Sequence, residues 1–154
     1  MKTNFEIVPL ADVASKSLEP VVLVVDDERL IADTLAAILM QNGFVATAAY
    51  GGEEGLKIAQ AVPPDLLLTD VSMPGMDGIK LAIAVRQAAP ECKVLLFSGH
   101  ASTADLLARA RDAGYEFTVL QKPLHPKELL AHISGALKSS DRGTGKQQPV
   151  LQCG

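Results

Sequence analysis

The stretch Asp65–Gly78, with the sequence DLLLTDVSMPGMDG, joins a short apolar run to a polar turn and decides the fold of this chain. The run is apolar without alternation, which is typical of a strand covered on both faces of a parallel sheet. Pro74-Gly75 marks a turn, and a helical pattern over residues 78–88 follows it. We therefore predict a strand ending at Thr69, a turn that begins at Asp70, and a helix.

The same alternation of apolar run and amphipathic stretch recurs on both sides of this segment. The other apolar runs are Val21–Val25, Phe44–Ala49, Lys93–Phe97 and Phe117–Gln121. The other helical patterns, which end at Gly or Pro or begin at Pro, span residues 29–42, 53–61, 103–113 and 126 to about 137. Five strands alternating with five helices predict a doubly wound α/β domain with a parallel sheet. Periodicity alone leaves the strand order open.

Length and composition are those of one globular domain. A chain of 154 residues can bury a core but is too short for two domains of ordinary size. Hydrophobic residues make up 48% and charged residues 21%, which excludes wholesale disorder. We predict an N-terminal extension over residues 1–19, the domain over 20–138, and a flexible C-terminal tail over 139–154.

Charge and cysteine usage narrow the expected partners and location. The formal net charge is −4 without a basic stripe, so we expect no direct nucleic-acid partner. No apolar run approaches the ~20 residues of a membrane span, and the N-terminus lacks the pattern of a signal peptide. Cys92 and Cys153 do not form a disulfide framework. A reduced, cytoplasmic protein that does not bind a membrane is the expectation.

Polar residues follow four of the predicted strands, at the edge where open parallel sheets bind ligands. Asp26 and Asp27 follow the first strand and Asp70 the third, while Ser98 follows the fourth and Lys122 the fifth. Two carboxylates ~4 Å apart repel by ~4 kcal/mol at an effective dielectric constant near 20, so such a cluster would take up a proton or a cation. An all-oxygen site suits Mg²⁺, and no Cys or His cluster is available for zinc.

Four blocks at these positions resemble the signature of response-regulator receiver domains. They are Val24–Glu28 (VVDDE), Thr69–Gly78 (TDVSMPGMDG), Phe97–His100 (FSGH) and Leu120–Leu124 (LQKPL). They occur in the order and spacing of the family, over about residues 20–138. The resemblance implies the flavodoxin-like strand order 2-1-3-4-5. It also implies a stand-alone signalling switch, not an enzyme beyond self-phosphorylation and autodephosphorylation.

The resemblance further implies a phosphoacceptor and a set of metal ligands. Asp70 is the expected phosphoacceptor. Mg²⁺ is expected on Asp27 directly, on Asp26 through a bound water, on Asp70, and on the backbone carbonyl of Ser72.

Two more residues and two kinds of partner follow from the same resemblance. Lys122 is expected to pair with the phosphoryl oxygens, and Ser98 to turn its hydroxyl toward them. The donor would be a sensor histidine kinase or a phosphotransfer protein. The output would be a changed affinity for a downstream protein at the surface that strands four and five form with their helices.

Three details near the site carry expectations of their own. Receivers commonly have an aromatic residue three positions before the strand-five lysine, where this chain has Val119, so the usual aromatic signal is in doubt. The Lys122–Pro123 bond is expected to be cis by resemblance. Ser72 and His100 stand where the family flanks the path of an attacking water, which would make the lifetime of the phosphoryl group depend on His100.

Plainer interpretations and other functions stay open at this point. Asp26 and Asp27 could cap the first helix, Asp70 could be a turn residue, and Lys122 an exposed lysine. A Mg²⁺-dependent hydrolase of the aspartyl-phosphate type is one alternative, although such enzymes carry D-x-D after strand one, where Asp26 is followed by Glu28. A degenerate, unphosphorylated interaction module is another, and the presence of Asp27, Asp70 and Lys122 argues against it.

Overall fold

A parallel sheet of five strands lies at the centre of the computed structural model, which describes residues 19–99 and 103–141. The strands are β1 (Val21–Val25), β2 (Val45–Ala49), β3 (Leu66–Asp70), β4 (Lys93–Ser98) and β5 (Thr118–Gln121). Their order is β2-β1-β3-β4-β5, and all four pairings are parallel. The predicted doubly wound α/β fold and strand order are therefore confirmed.

Five helices connect and follow the strands. They are α1 (Arg29–Met40), α2 (Gly52–Ala61), α3 (Gly78–Ala88), α4 (Thr103–Asp112) and α5 (Pro126–Asp141). The predicted stop after α1 is present, since Gly43 has a positive φ of 91° and the Phe44 N–H donates to the Leu39 carbonyl at 3.1 Å. By contrast, α5 continues four residues beyond the predicted Leu137, because residues 138–141 contain no Gly or Pro to end it.

The helices bury the sheet on both faces. Leu35, Leu39, Leu129 and Ile133 of α1 and α5 pack on one face, while Leu81 and Val85 of α3, with Ala110 of α4, pack on the other. Every residue of β3 is buried, as the unbroken apolar run predicts. Strand β2 differs because it lies at the edge of the sheet, where Val45 is 46% exposed. Each fully buried leucine stabilises the fold by about 1.5–3 kcal/mol.

The turn after β3 brings the next helix against the strand end. Asp77 caps α3, since its Oδ1 accepts the Lys80 N–H at 2.8 Å. The Gly78 N–H donates to the Val71 carbonyl at 2.8 Å, and a Cβ on Gly78 would overlap the carbonyl oxygen of Asp70. Only glycine permits this approach, which fixes the position of the β3 end. None of the helices described is long and apolar enough to cross a membrane.

Candidate functional site

Three carboxylates meet at the carboxyl edge of the sheet. Asp26 and Asp27 follow β1, and Asp70 is the last residue of the neighbouring strand β3. One oxygen of each carboxylate lies within 4.8 Å of the others. Asp26 is fully buried and Asp70 is 7% exposed, whereas Asp27 is open to solvent. The structure thus brings together the three acids that the strand ends placed at one edge.

Lys122 supplies the positive charge of this cluster. Its Nζ lies 3.5 Å from Asp26 Oδ2 and 3.5 Å from Asp70 Oδ2. The same Nζ lies 5.1 Å from the centre of the Phe97 ring, in a cation–π contact. The Lys122–Pro123 peptide bond is cis, which confirms the expectation. One ammonium therefore faces the carboxylates of two different strand ends.

Ser98 lies beside the lysine at the end of β4. It is 2% exposed, and its carbonyl accepts the Lys122 N–H at 3.0 Å, which ties the β4 and β5 ends together. Ser72 is exposed on the loop that follows β3. The expected roles of the Ser98 hydroxyl and the Ser72 carbonyl stay predictions, and His100 lies outside the described residues.

Burial dominates the electrostatics of the two inner carboxyl groups. Burial raises the pKa of Asp26, and the adjacent Lys122 only partly offsets it. Burial also raises the pKa of Asp70, with the charge of Asp26 as the next cause. Three carboxylates thus share one ammonium, so the net charge of the cluster is negative when its acids are ionised.

The oxygen atoms present fit a hard divalent cation. Asp26 Oδ2 is buried and makes no hydrogen bond among the described residues, with Lys122 Nζ 3.5 Å away. A buried carboxylate oxygen without a hydrogen bond is costly, and a metal ion or its bound water would satisfy it. Carboxylate ligands with room for water are typical of Mg²⁺. The residues therefore fit the metal predicted from the sequence.

The raised pKa of Asp26 predicts a pH-dependent cost in the metal-free protein. The protonated Asp26 side chain contributes its full share to the free energy of unfolding below the ordinary pKa of 3.8. This contribution is lost as the pH rises through the raised pKa, because folding must then bury a charged group. Asp26→Asn removes that charge. We expect the metal-free variant to melt a few degrees above wild type at pH 7, for a gain of about 1 kcal/mol.

Thermal unfolding in the presence of a chelator, at pH 7 and near pH 4, measures this effect. The advantage of the variant should shrink toward the lower pH, because protonation of the wild-type carboxyl group increases as the pH falls. A variant that is less stable than wild type at both pH values would contradict this account of Asp26.

The turn after β1 holds the first acid in place. Asp26 Oδ1 accepts the Glu28 N–H at 2.8 Å, and the Asp26 N–H donates to the carbonyl of Ala49 in the neighbouring strand at 3.1 Å. Glu28 is the N-cap residue of α1, and its own side chain makes no capping hydrogen bond. The plainer interpretation of Asp26 or Asp27 as the N-cap residue of α1 is therefore wrong.

Val119 occupies the position of the expected aromatic residue without replacing its bulk. It is partly buried on the sheet face covered by α2, α3 and α4. Phe117, two residues earlier, packs on the same face and stacks on Tyr115 with ring centres 5.8 Å apart. The Arg86 guanidinium lies 5.7 Å from the centre of the Phe117 ring. The aromatic side chain is thus displaced along β5 toward the opposite end of the sheet.

Sequence reasoning missed three residues that support the site. Thr69 is fully buried, and its hydroxyl donates to the Asp70 carbonyl at 2.9 Å. Phe97 places its ring under the Lys122 ammonium, and Gly78 admits the close approach of α3. A polar residue inside an apolar run and an aromatic residue just before Ser98 are the signals that could have identified the first two.

Comparison with known proteins agrees with this geometry. The sequence profile described as the response regulator receiver domain matches residues 22–134. The response regulator MprA of Mycobacterium sp. (strain KMS) is 31% identical over 130 residues, which are 84% of this chain and 56% of that protein. The DNA-binding response regulator MtrA of Mycobacterium tuberculosis (strain CDC 1551 / Oshkosh) is 29% identical over 120 residues, 78% of this chain and 51% of that protein. The chain spans about half the length of these curated relatives.

Solved structures show the same fold. The CheY-like receiver domain protein of Methanospirillum hungatei JF-1 superposes with a TM-score of 0.74 at 26% identity, covering 81% of this chain and 98% of that one. The chemotaxis protein CheY4 of Vibrio cholerae gives a TM-score of 0.69 at 27% identity, covering 77% and 99%. The profile match, the relatives and the fold agree that this chain belongs to the response regulator receiver domain family of two-component signalling.

Proposed function

We propose that this receiver domain accepts a phosphoryl group on Asp70 and thereby acts as a switch in a two-component phosphorelay. The observation that carries the proposal is the placement of Asp70, buried at the end of β3, with one oxygen 3.5 Å from the Lys122 ammonium and two further carboxylates beside it. This arrangement offers a nucleophilic carboxylate, a cation for the phosphoryl oxygens, and ligands for a metal.

The transfer reaction moves a phosphoryl group from donor to carboxylate. A carboxylate oxygen of Asp70 attacks the phosphorus and forms a new O–P bond. With an acyl phosphate, the P–O bond to the acyl group breaks and the leaving carboxylate takes the electron pair. With phosphohistidine, the P–N bond breaks and the imidazole nitrogen takes the electron pair and then a proton.

The protein acts mainly by positioning the reacting groups and by neutralising the charge of the phosphoryl oxygens. Lys122, already facing Asp70, pairs with the negative oxygens of the phosphoryl group, and the Ser98 hydroxyl turns toward them. Mg²⁺ held by Asp26, Asp27, Asp70 and the Ser72 carbonyl would supply further positive charge where the transition state gains negative charge.

An apolar groove beside the lysine suits a protein donor. It has a volume of about 520 Å³ and is lined by residues of α1 and of the loop after β5, including Leu30, Ile31, Pro123 and Leu124. Leu30 is 78% exposed, more than any other large hydrophobic residue described. We propose that a sensor histidine kinase or a phosphotransfer protein docks here, next to Lys122.

The output and the setting are part of the same proposal. We propose that phosphorylation changes the affinity for a downstream protein at the surface of β4, β5 and their helices, in the cytoplasm. The stacked aromatic pair of Tyr115 and Phe117 precedes β5, and it would alter how the change is transmitted. The absence of a nucleic-acid partner stays a prediction, since a relative such as MtrA is a DNA-binding regulator.

Metal dependence of phosphorylation tests the proposal. Incubation with acetyl phosphate and Mg²⁺ is expected to add the mass of one phosphoryl group, and a chelator should remove this labelling because the carboxylates then repel the donor. Intact-mass measurement gives the labelled fraction in each condition. Undiminished labelling in the chelator, or no labelling with Mg²⁺, would contradict the proposed function.

A further inference from the structure

An arginine stands on an aromatic ring at the same edge of the sheet as the acidic cluster. The Arg29 guanidinium lies 4.0 Å from the centre of the Tyr50 ring. The Tyr50 hydroxyl donates to Asp33 Oδ1 at 2.6 Å, and the Tyr50 N–H donates to Glu54 Oε1 at 2.8 Å. Asp33 thus holds the hydroxyl end of the ring and Glu54 holds the backbone of Tyr50, so that the ring forms a platform for the guanidinium.

The platform lies on the side of the acidic cluster away from Lys122. Arg29 begins α1 two residues after Asp27, and Tyr50 is the first residue after β2. Strand β2 borders β1 on one side, while β5, which leads to Lys122, lies at the far edge of the sheet. Lys122 thus contacts the cluster from the β5 side, and Arg29 is a cation on the β2 side.

No salt bridge within the described residues neutralises the charge of Arg29. The side chain of Asp33, one turn further along α1, accepts the Tyr50 hydroxyl instead. Arg29 is exposed, so the guanidinium also remains in contact with solvent. Stacking holds the side chain without neutralising it.

An anionic donor needs such a charge. A phosphoryl group that approaches Asp70 meets three carboxylates, and the chain carries a formal net charge of −4. We propose that Arg29, held on Tyr50, attracts the anionic phosphoryl group of the donor and determines a preference for dianionic donors. This inference rests on the proposed phosphorylation of Asp70.

Neutralising the arginine tests the inference. Arg29→Gln keeps a planar group that can stack on the ring but removes the charge. We expect its second-order rate constant for labelling by acetyl phosphate at low ionic strength to fall on the order of fivefold, and the difference to shrink in high salt. With phosphoramidate, which carries less net negative charge, the decrease should be smaller. Arg29→Lys should stay within about twofold of wild type, because steering depends on the charge.

A metal titration gives a second readout that needs no phosphorylation. Loss of a nearby positive charge should make Arg29→Gln bind Mg²⁺ about twofold more tightly than wild type, while its labelling becomes slower. Lys138→Gln is the matched control: it removes the same charge from the last turn of α5, where the neighbouring Leu137 lies beside the loops at the opposite end of the sheet. This control should change neither property.

The outcomes separate the two proposals. Equal labelling rates for Arg29→Gln and Lys138→Gln would overturn the role of Arg29. A decrease in Arg29→Lys as large as that in Arg29→Gln would also overturn it, because the packing of Arg29 and not its charge would then matter. If wild type itself fails to take up a phosphoryl group with Mg²⁺, the proposed function fails and not the inference alone.

Discussion

Asp70→Asn is expected to abolish labelling by acetyl phosphate. Asparagine has nearly the same shape, so the end of β3 should keep its place between β1 and β4. Its amide is not an anionic nucleophile, so the variant lacks the group that would attack the phosphorus. Intact mass after incubation with Mg²⁺ and donor should therefore show the unmodified protein alone.

A surface acid provides the control for this experiment. Asp105→Asn removes an equal charge from an exposed position on α4 and should label as wild type does. Removal of one buried charge should also leave Asp70→Asn at least as stable as wild type without metal, so a loss of labelling could not be ascribed to unfolding. Labelling of the Asn variant at the wild-type level would show that the acceptor lies elsewhere.

Gly78→Ala should cause the largest loss of stability among single methyl additions to the site. The new Cβ would overlap the carbonyl oxygen of Asp70, which is backbone and cannot rotate away. Either α3 or the end of β3 must shift, and we expect a cost of about 3 kcal/mol, or a melting temperature lower by roughly 10 °C. Thermal unfolding followed by circular dichroism measures it.

A second glycine makes this test specific. A Cβ on Gly135, in α5, would meet nothing within 4 Å, so Gly135→Ala should be neutral or stabilising by about 0.5–1 kcal/mol. Equal melting temperatures for the two variants would mean that the turn after β3 is looser than the close contact at Gly78 implies.

The sequence predicts the sheet well because its strands obey one simple rule. The apolar runs at β1, β3 and β4 are buried on both faces, and parallel pairing brings their polar ends to one edge. That topology places Asp26, Asp70 and Lys122 at one edge of the sheet. The distances between their charged atoms depend on side-chain conformations, which the sequence pattern does not give. Strand order came from the resemblance, since periodicity does not encode it.

Contacts between distant segments could not be predicted from the sequence, for a physical reason. The stack of Arg29 on Tyr50 and the contact of Lys122 with Phe97 depend on side-chain directions at the ends of different elements. The packing of Gly78 depends on how closely two backbones approach. Residue type and spacing along the chain carry no record of such distances.

Chemical trapping of the phosphoryl group identifies the residue that carries it. Borohydride reduces an aspartyl phosphate to homoserine, which peptide mass spectrometry identifies at its position. After incubation with acetyl phosphate and Mg²⁺, we expect homoserine at position 70, within the peptide that spans the end of β3 and the turn before α3. Homoserine at another aspartate, with position 70 unchanged, would contradict this expectation.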